Sequence, residues 1–284
     1  MNNSIKVDVD IGLDILGTKV EYRTGSYNYK FIPSIYIVIE DKLAKSVIET
    51  LWDRNESVSA KYIFSGSWMN QVSCLYGFFT YGMELQDSFS IPSFGIVAVN
   101  DGDIPEKSTN KRIDSAIKGN FPTDKQKLIK DKISKSVISF NLEINDESIK
   151  ALPEYNHKRW FEEITLKSIK NRHQEETFCF LRDEREIETM LEVIEFSKSL
   201  PNEEFPLTND KGKLDYHLYY TALKAYRPKN TDHKMNSIHW YVLSAIKEYN
   251  LSKWQFYTND VKQAILKLCD ENKDAFISSS FNFE

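Results

Sequence analysis

The chain has 284 residues and a formal net charge of −5, with 41% hydrophobic and 13% aromatic residues, so it holds enough apolar material for one large core or two ordinary ones. Its composition is globular rather than disordered, and no apolar run approaches the roughly 18 residues that a membrane helix needs. Cys74, Cys179 and Cys269 are odd in number, far apart and without metal-type spacing. This excludes a disulfide framework and a zinc site and points to reduced thiols in a cytoplasmic protein.

In chain order, Ile5 to Val20 alternates as an opening hairpin or strand pair with Gly17 at the turn. The polar start Met1-Asn2-Asn3-Ser4 does not read as a secretion signal. Ile35 to Ile39 is a buried-type strand ending at Glu40-Asp41-Lys42, and Leu43, Val47, Ile48 and Leu51 then carry helical spacing. Ala60 to Phe64 forms a further strand, broken at Ser65-Gly66-Ser67, and Val72, Leu75, Tyr76 and Phe79 predict a helix that ends between Gly77 and Gly82.

The most informative stretch follows. Phe94 to Val99, entered through Pro92, reads as a central parallel strand covered on both faces, and it stops at Asp101-Gly102-Asp103. Side chains two apart in an extended chain share a face, so the two aspartates are expected to point together, as suits a hard divalent cation. Parallel strands joined by crossovers open their carboxyl ends on one edge, so Glu40 is expected to meet Asp101 and Asp103 there.

From Lys107 to Lys135 the chain turns basic: Lys107, Lys111, Arg112, Lys118, Lys125, Lys127, Lys130, Lys132 and Lys135 stand against only Asp114, Asp124 and Asp131. Within an acidic total this concentrates positive charge beside the aspartates, and phosphate is the natural counterpart. A solvated lysine-rich helix is the plain alternative. Ser136 to Phe140 predicts another strand.

Beyond Ile149 the periodicity becomes helical: Trp160–Ile169, Glu186–Ser199, Tyr216–Tyr226, Ile238–Tyr249 and Val261–Asn272. The boundary between a 1–150 α/β domain and a 151–284 helical domain is placed near Ala151 to Pro153. The aromatic groups Tyr216, Tyr219, Tyr220, Tyr226 and Trp240, Tyr241 read as helix-packing core, with an exposed subset available to stack on bases. His157, His173, His217, His233 and His239 fall in no metal spacing and read as surface or core residues, and no phosphate loop is present.

The succession strand, Glu40, helix, strand, Gly66, helix, strand, Asp101-Gly102-Asp103 resembles the Toprim domain of topoisomerases, bacterial primases and OLD-family nucleases, over about residues 30 to 145. With a helical second half, the chain resembles the stand-alone Toprim effectors of two-gene phage-defence systems of the PARIS type. The resemblance implies a mainly parallel Toprim-like sheet flanked by helices and followed by a helical domain. It also implies nuclease activity with Mg²⁺ (or Mn²⁺), Glu40 as general acid/base or metal ligand, and Asp101 and Asp103 as metal ligands. Lys107, Lys111 and Arg112 would contact a nucleic-acid substrate, DNA or RNA. The implied partner is an ABC-type ATPase that holds the nuclease inactive, with no membrane involved.

The resemblance to the nuclease members also implies a further carboxylate beyond the following strand, for which Glu143, Glu154 and Glu162 are the candidates. The chain departs from the family where Glu40 is followed by Asp41, and where Ala44 stands in place of an acid. The departure leaves open a catalytically decayed scaffold that binds nucleic acid or docks a partner protein.

Overall fold

The structure is a computed structural model describing residues 21–23, 26–28, 35–52, 60–84, 88, 94–118, 123–143, 152–170, 184–200, 208–212, 215–225 and 238–272. The expected Ile5–Val20 strands, Cys179, His173, Tyr226 and His233 lie outside these residues. Glu21–Arg23 (β1) and Ser26–Asn28 (β2) form a short antiparallel pair.

The sheet that organises the rest has four parallel strands: Ile35–Ile39 (β3), Ala60–Phe64 (β4), Gly95–Asn100 (β5) and Val137–Ser139 (β6), in the order β4-β3-β5-β6. Between them run helices Lys42–Glu49 (α1), Trp68–Gly77 (α2), Glu106–Ile117 (α3) and Thr123–Lys135 (α4). The helices Pro153–Lys170 (α5), Glu184–Ser199 (α6), His217–Ala225 (α7), Ile238–Tyr249 (α8) and Leu251–Glu271 (α9) follow. The lysine-rich stretch is thus two helices, and the last helix begins ten residues before its apolar periodicity is legible.

Strand alternation sorts the core into two layers. Ile35, Ile37, Ile39, Val97 and Val99 face α1 and the helices α5 to α9, with Trp160, Phe161, Tyr219, Val242 and Ile265 in the same apolar cluster. Tyr36, Val38, Ile96 and Ala98 face the other way, onto α2, α3 and α4 through Val72, Leu75, Ile113, Ile117, Ile129 and Ile133. With both faces covered, β3 and β5 are uniformly apolar, and each fully buried aliphatic side chain contributes roughly 1.5–3 kcal/mol. The helices after residue 152 therefore form one lid of the sheet and share its core. One consequence is a close approach at Gly95, where a Cβ would stand 2.5 Å from Leu268 of α9.

From β3 the chain moves outward to β4, then crosses back over β3 to β5 and on to β6. The order reverses between β3 and β5, and in open α/β sheets the crevice at the carboxyl ends of such a pair is where ligands bind.

Candidate functional site

That crevice is lined by carboxylates. β3 delivers Glu40 and Asp41 at its end, and β5 delivers Asp101 and Asp103 just past Asn100. The strand has ended before the aspartates, so they do not share a strand face as expected; Gly102, at φ +97°, turns the chain between them. Only glycine fits, since a Cβ there would lie 2.2 Å from the Phe140 carbonyl oxygen at the end of β6. The turn still serves the same end, because the charges of Asp103 and Glu40 both bear on Asp101, and that of Asp103 bears on Glu40.

Glu40 is anchored by the adjoining loop. Ser65 N–H donates to the Ile39 carbonyl at 2.8 Å and Gly66 N–H to the Glu40 carbonyl at 3.1 Å. The Glu40 carboxylate accepts from the Trp68 backbone N–H, at the start of α2, where the helix dipole favours negative charge. Gly66 takes φ +69°, and Ser67 caps α2 by accepting from Asn70 N–H at 3.3 Å.

Asp41 has a local task that its place before an apolar helical run could have signalled: its Oδ1 accepts from Ala44 N–H at 2.9 Å and caps α1. Ala44 itself is buried in the core. The N-cap carboxylate nonetheless stands among the site's charges, since it acts on both Glu40 and Asp101.

Of the three carboxylates left open, the structure brings Glu154 to the site. It sits at the start of α5, 4% exposed, and its charge acts on Glu40, Asp41 and Asp101. Glu162 instead pairs with Lys158 Nζ at 2.7 Å, and Glu143 follows β6 without acting on Asp101. Glu154 Oε1 accepts a 2.8 Å bond from His217 Nδ1 of α7. His217 carried no linear signal, because its partner lies 63 residues earlier and on another helix.

Electrostatically the crevice is strongly negative. Burial first, then Asp41, Glu40, Glu154 and Asp103, push Asp101 up to about 8. Burial, Asp41, Asp103 and Glu154 raise Glu40, and burial ahead of Glu154 raises Asp41. The His217 bond to Glu154 raises the imidazole to about 9 against the effect of its own burial.

Such an all-oxygen, like-charged donor set has the chemistry of a site for a hard dication. Its placement is looser: among the described residues no group of three or more His, Cys, Asp or Glu side chains is arranged to hold a metal ion.

The basic residues divide. Lys107 and Lys111 project from the first turns of α3 and are exposed. Arg112 is turned inward, its Nη2 donating to Ser73 Oγ of α2 at 2.9 Å. Lys130 and Lys135 pair with Asp114 and Asp131 at 2.6 and 2.8 Å.

Fold and site together define an α/β protein with a carboxylate crevice at the reversal of a parallel sheet. No protein family, curated protein or solved structure matches the chain. Among the described residues no helix is long and apolar enough to cross a membrane.

Proposed function

We propose that the chain is a Toprim-like, Mg²⁺- or Mn²⁺-dependent nuclease, working as the effector of a two-component phage-defence system under the control of an ABC-type ATPase. The observation that carries the chemistry is the enclosure of Asp101, where burial first and then the crowding of Asp41, Glu40, Glu154 and Asp103 raise the carboxyl to about 8. Like charges so enclosed are relieved by a cation, and a bound dication would neutralise the scissile phosphate and acidify water.

Glu40, Asp101 and Asp103 are the residues assigned to hold the ion. The raised proton affinity of Glu40 suits it to exchange a proton with water. Exposed Lys107 and Lys111, directly after the aspartates, would position the backbone of the substrate, while Arg112 would brace α3 against α2. The ATPase partner and the defence role rest on the resemblance alone, and a cytoplasmic setting rests on the three widely spaced cysteines.

Calorimetric titration of Mn²⁺ into the wild type and an Asp101→Ala/Asp103→Ala variant tests the reading. Saturable binding that the variant loses is expected; no binding to either removes the metal site. Cleavage should then be sought with the ATPase and its trigger present, and strong unregulated cleavage by the chain alone would contradict control by a partner.

One observation favours a second reading, a decayed scaffold that docks nucleic acid or a partner: Ala44, where the resembled family carries an acid, is buried core. Biological activity that survives Glu40→Ala would decide for the scaffold.

A further inference from the structure

The helical part encloses a group of buried polar atoms without protein partners among the described residues. These are the hydroxyls of Tyr219, Tyr220 and Tyr257, Nε1 of Trp160, both ring nitrogens of His157 and both amide atoms of Asn156. Buried polar atoms are almost always paired, and one left unpaired destabilises the fold.

The rings of this group are contiguous. The His157 ring lies 5.2 Å from Tyr257 and 5.9 Å from both Trp160 and Tyr220, and Tyr219 lies 5.2 Å from Tyr220.

Their position ties them to the crevice. His157 is three residues after Glu154 and so shares its side of α5. Tyr257 stacks on Phe140 at 4.8 Å, and the Phe140 N–H donates to the Asn100 carbonyl at 3.1 Å. The phenol of α9 is thereby set against the turn that carries Asp101. The charges of Asp101, Glu154 and Asp41 act on Tyr257, and that of Glu154 acts on Tyr220; both phenols are held protonated by burial and are donors.

We propose that ordered water, held between the Tyr257 and Tyr220 hydroxyls and the Asp101 and Glu154 carboxylates, makes these tyrosines positioning residues of the site. A buried water needs two to four polar partners, and here unpaired phenol donors stand within the electrostatic reach of carboxylate acceptors. His157 extends the chain inward: burial lowers it to about 3, so the neutral ring offers one donor and one acceptor. The proposal rests on the carboxylates being the working site, but the water bridge belongs to the metal-free chain and can be tested in it.

Crystal structures of the metal-free full chain, as wild type, Tyr257→Phe and Tyr220→Phe, provide that test. The wild type is expected to show water bonded to Tyr257 Oη and to Asp101 or Glu154. Tyr257→Phe should lose it and let the Asp101 carboxylate turn, and Tyr220→Phe should lose the water at Glu154, whose bond to His217 remains, and serves if the first variant fails to fold. Dry packing around both hydroxyls, an Asp101 carboxylate unmoved in Tyr257→Phe, or a water at Glu154 that survives Tyr220→Phe, overturns the proposal.

Mn²⁺ titration reads the consequence: Tyr257→Phe should weaken binding about tenfold, as loss of an outer partner of a metal ligand does. Bridging water in a wild type that takes up no Mn²⁺ would sink the metal reading and leave this inference standing. Mn²⁺ uptake without bridging water would do the reverse.

Discussion

His217 Nδ1 donates to Glu154 Oε1 across 2.8 Å, joining α7 to the start of α5 at the mouth of the carboxylate crevice. The imidazole side chain is 66% exposed and the carboxylate 5%, so the pair has a solvated cation and an enclosed anion. Removing the cation strands the anion. His217→Ala should cost about 1–3 kcal/mol, and adding Glu154→Gln should recover part of it; a double-mutant cycle by chemical denaturation measures both.

Stability should fall as pH rises from 6 to 9 without divalent cations. Asp101, at about 8 in the fold, starts from 3.8, so the folded state keeps a proton that the unfolded chain loses, and the penalty grows up to pH 8. His217, raised to about 9 from 6.5, stabilises fully below pH 6.5 and loses that gain as pH rises through 9. Its exposure makes its share the smaller one. Thermal midpoints across this range should show the decline, flattened at its lower end in Asp101→Asn and at its upper end in His217→Gln.

At pH 8 Asp101→Asn should make the metal-free protein more stable, by on the order of 1–3 kcal/mol, because it removes a charge disfavoured first by burial and then by four neighbouring carboxylates. Mg²⁺ should raise the wild-type midpoint and leave that of the variant nearly unchanged. Equal responses of the two proteins to Mg²⁺ would place the ion elsewhere.

Gly102→Ala should destabilise the chain by about 3 kcal/mol or more, since it forces a side chain into the left-handed region and against the Phe140 carbonyl. Urea denaturation measures the loss, and Gly212→Ala, also at positive φ but with open space around it, is the milder control.

The basic residues should separate by assay. Lys107→Ala and Lys111→Ala should leave stability within about 0.5 kcal/mol and each lower the salt slope of nucleic-acid binding by about 1. Arg112→Ala should cost stability instead, through its bond to Ser73. Salt-dependent fluorescence anisotropy beside thermal melts distinguishes the two.

Much of the sheet was legible because β3 and β5 are covered on both faces and so carry unbroken apolar runs. Glu40 and Asp101 were legible as polar residues stopping such runs, which is a local signal. Of the site's remaining members, Glu154 was one of three carboxylates left open, and His217 and Tyr257 were not legible at all; the three come from three helices, and their convergence depends on how α5, α7 and α9 pack. The shared strand face expected for Asp101 and Asp103 failed for a local reason, the turn at Gly102. Arg112 looked like its neighbouring lysines because charge alone does not show which side of a helix meets another helix.

The apolar face formed by Ile35, Ile37, Ile39, Val97 and Val99 is covered largely by helices that follow residue 152. A recombinant fragment ending near residue 150 would present these five side chains to water beside the crevice carboxylates. Such a fragment should be recovered in inclusion bodies, and co-expression with residues 151–284 as a separate chain should return it to the soluble fraction.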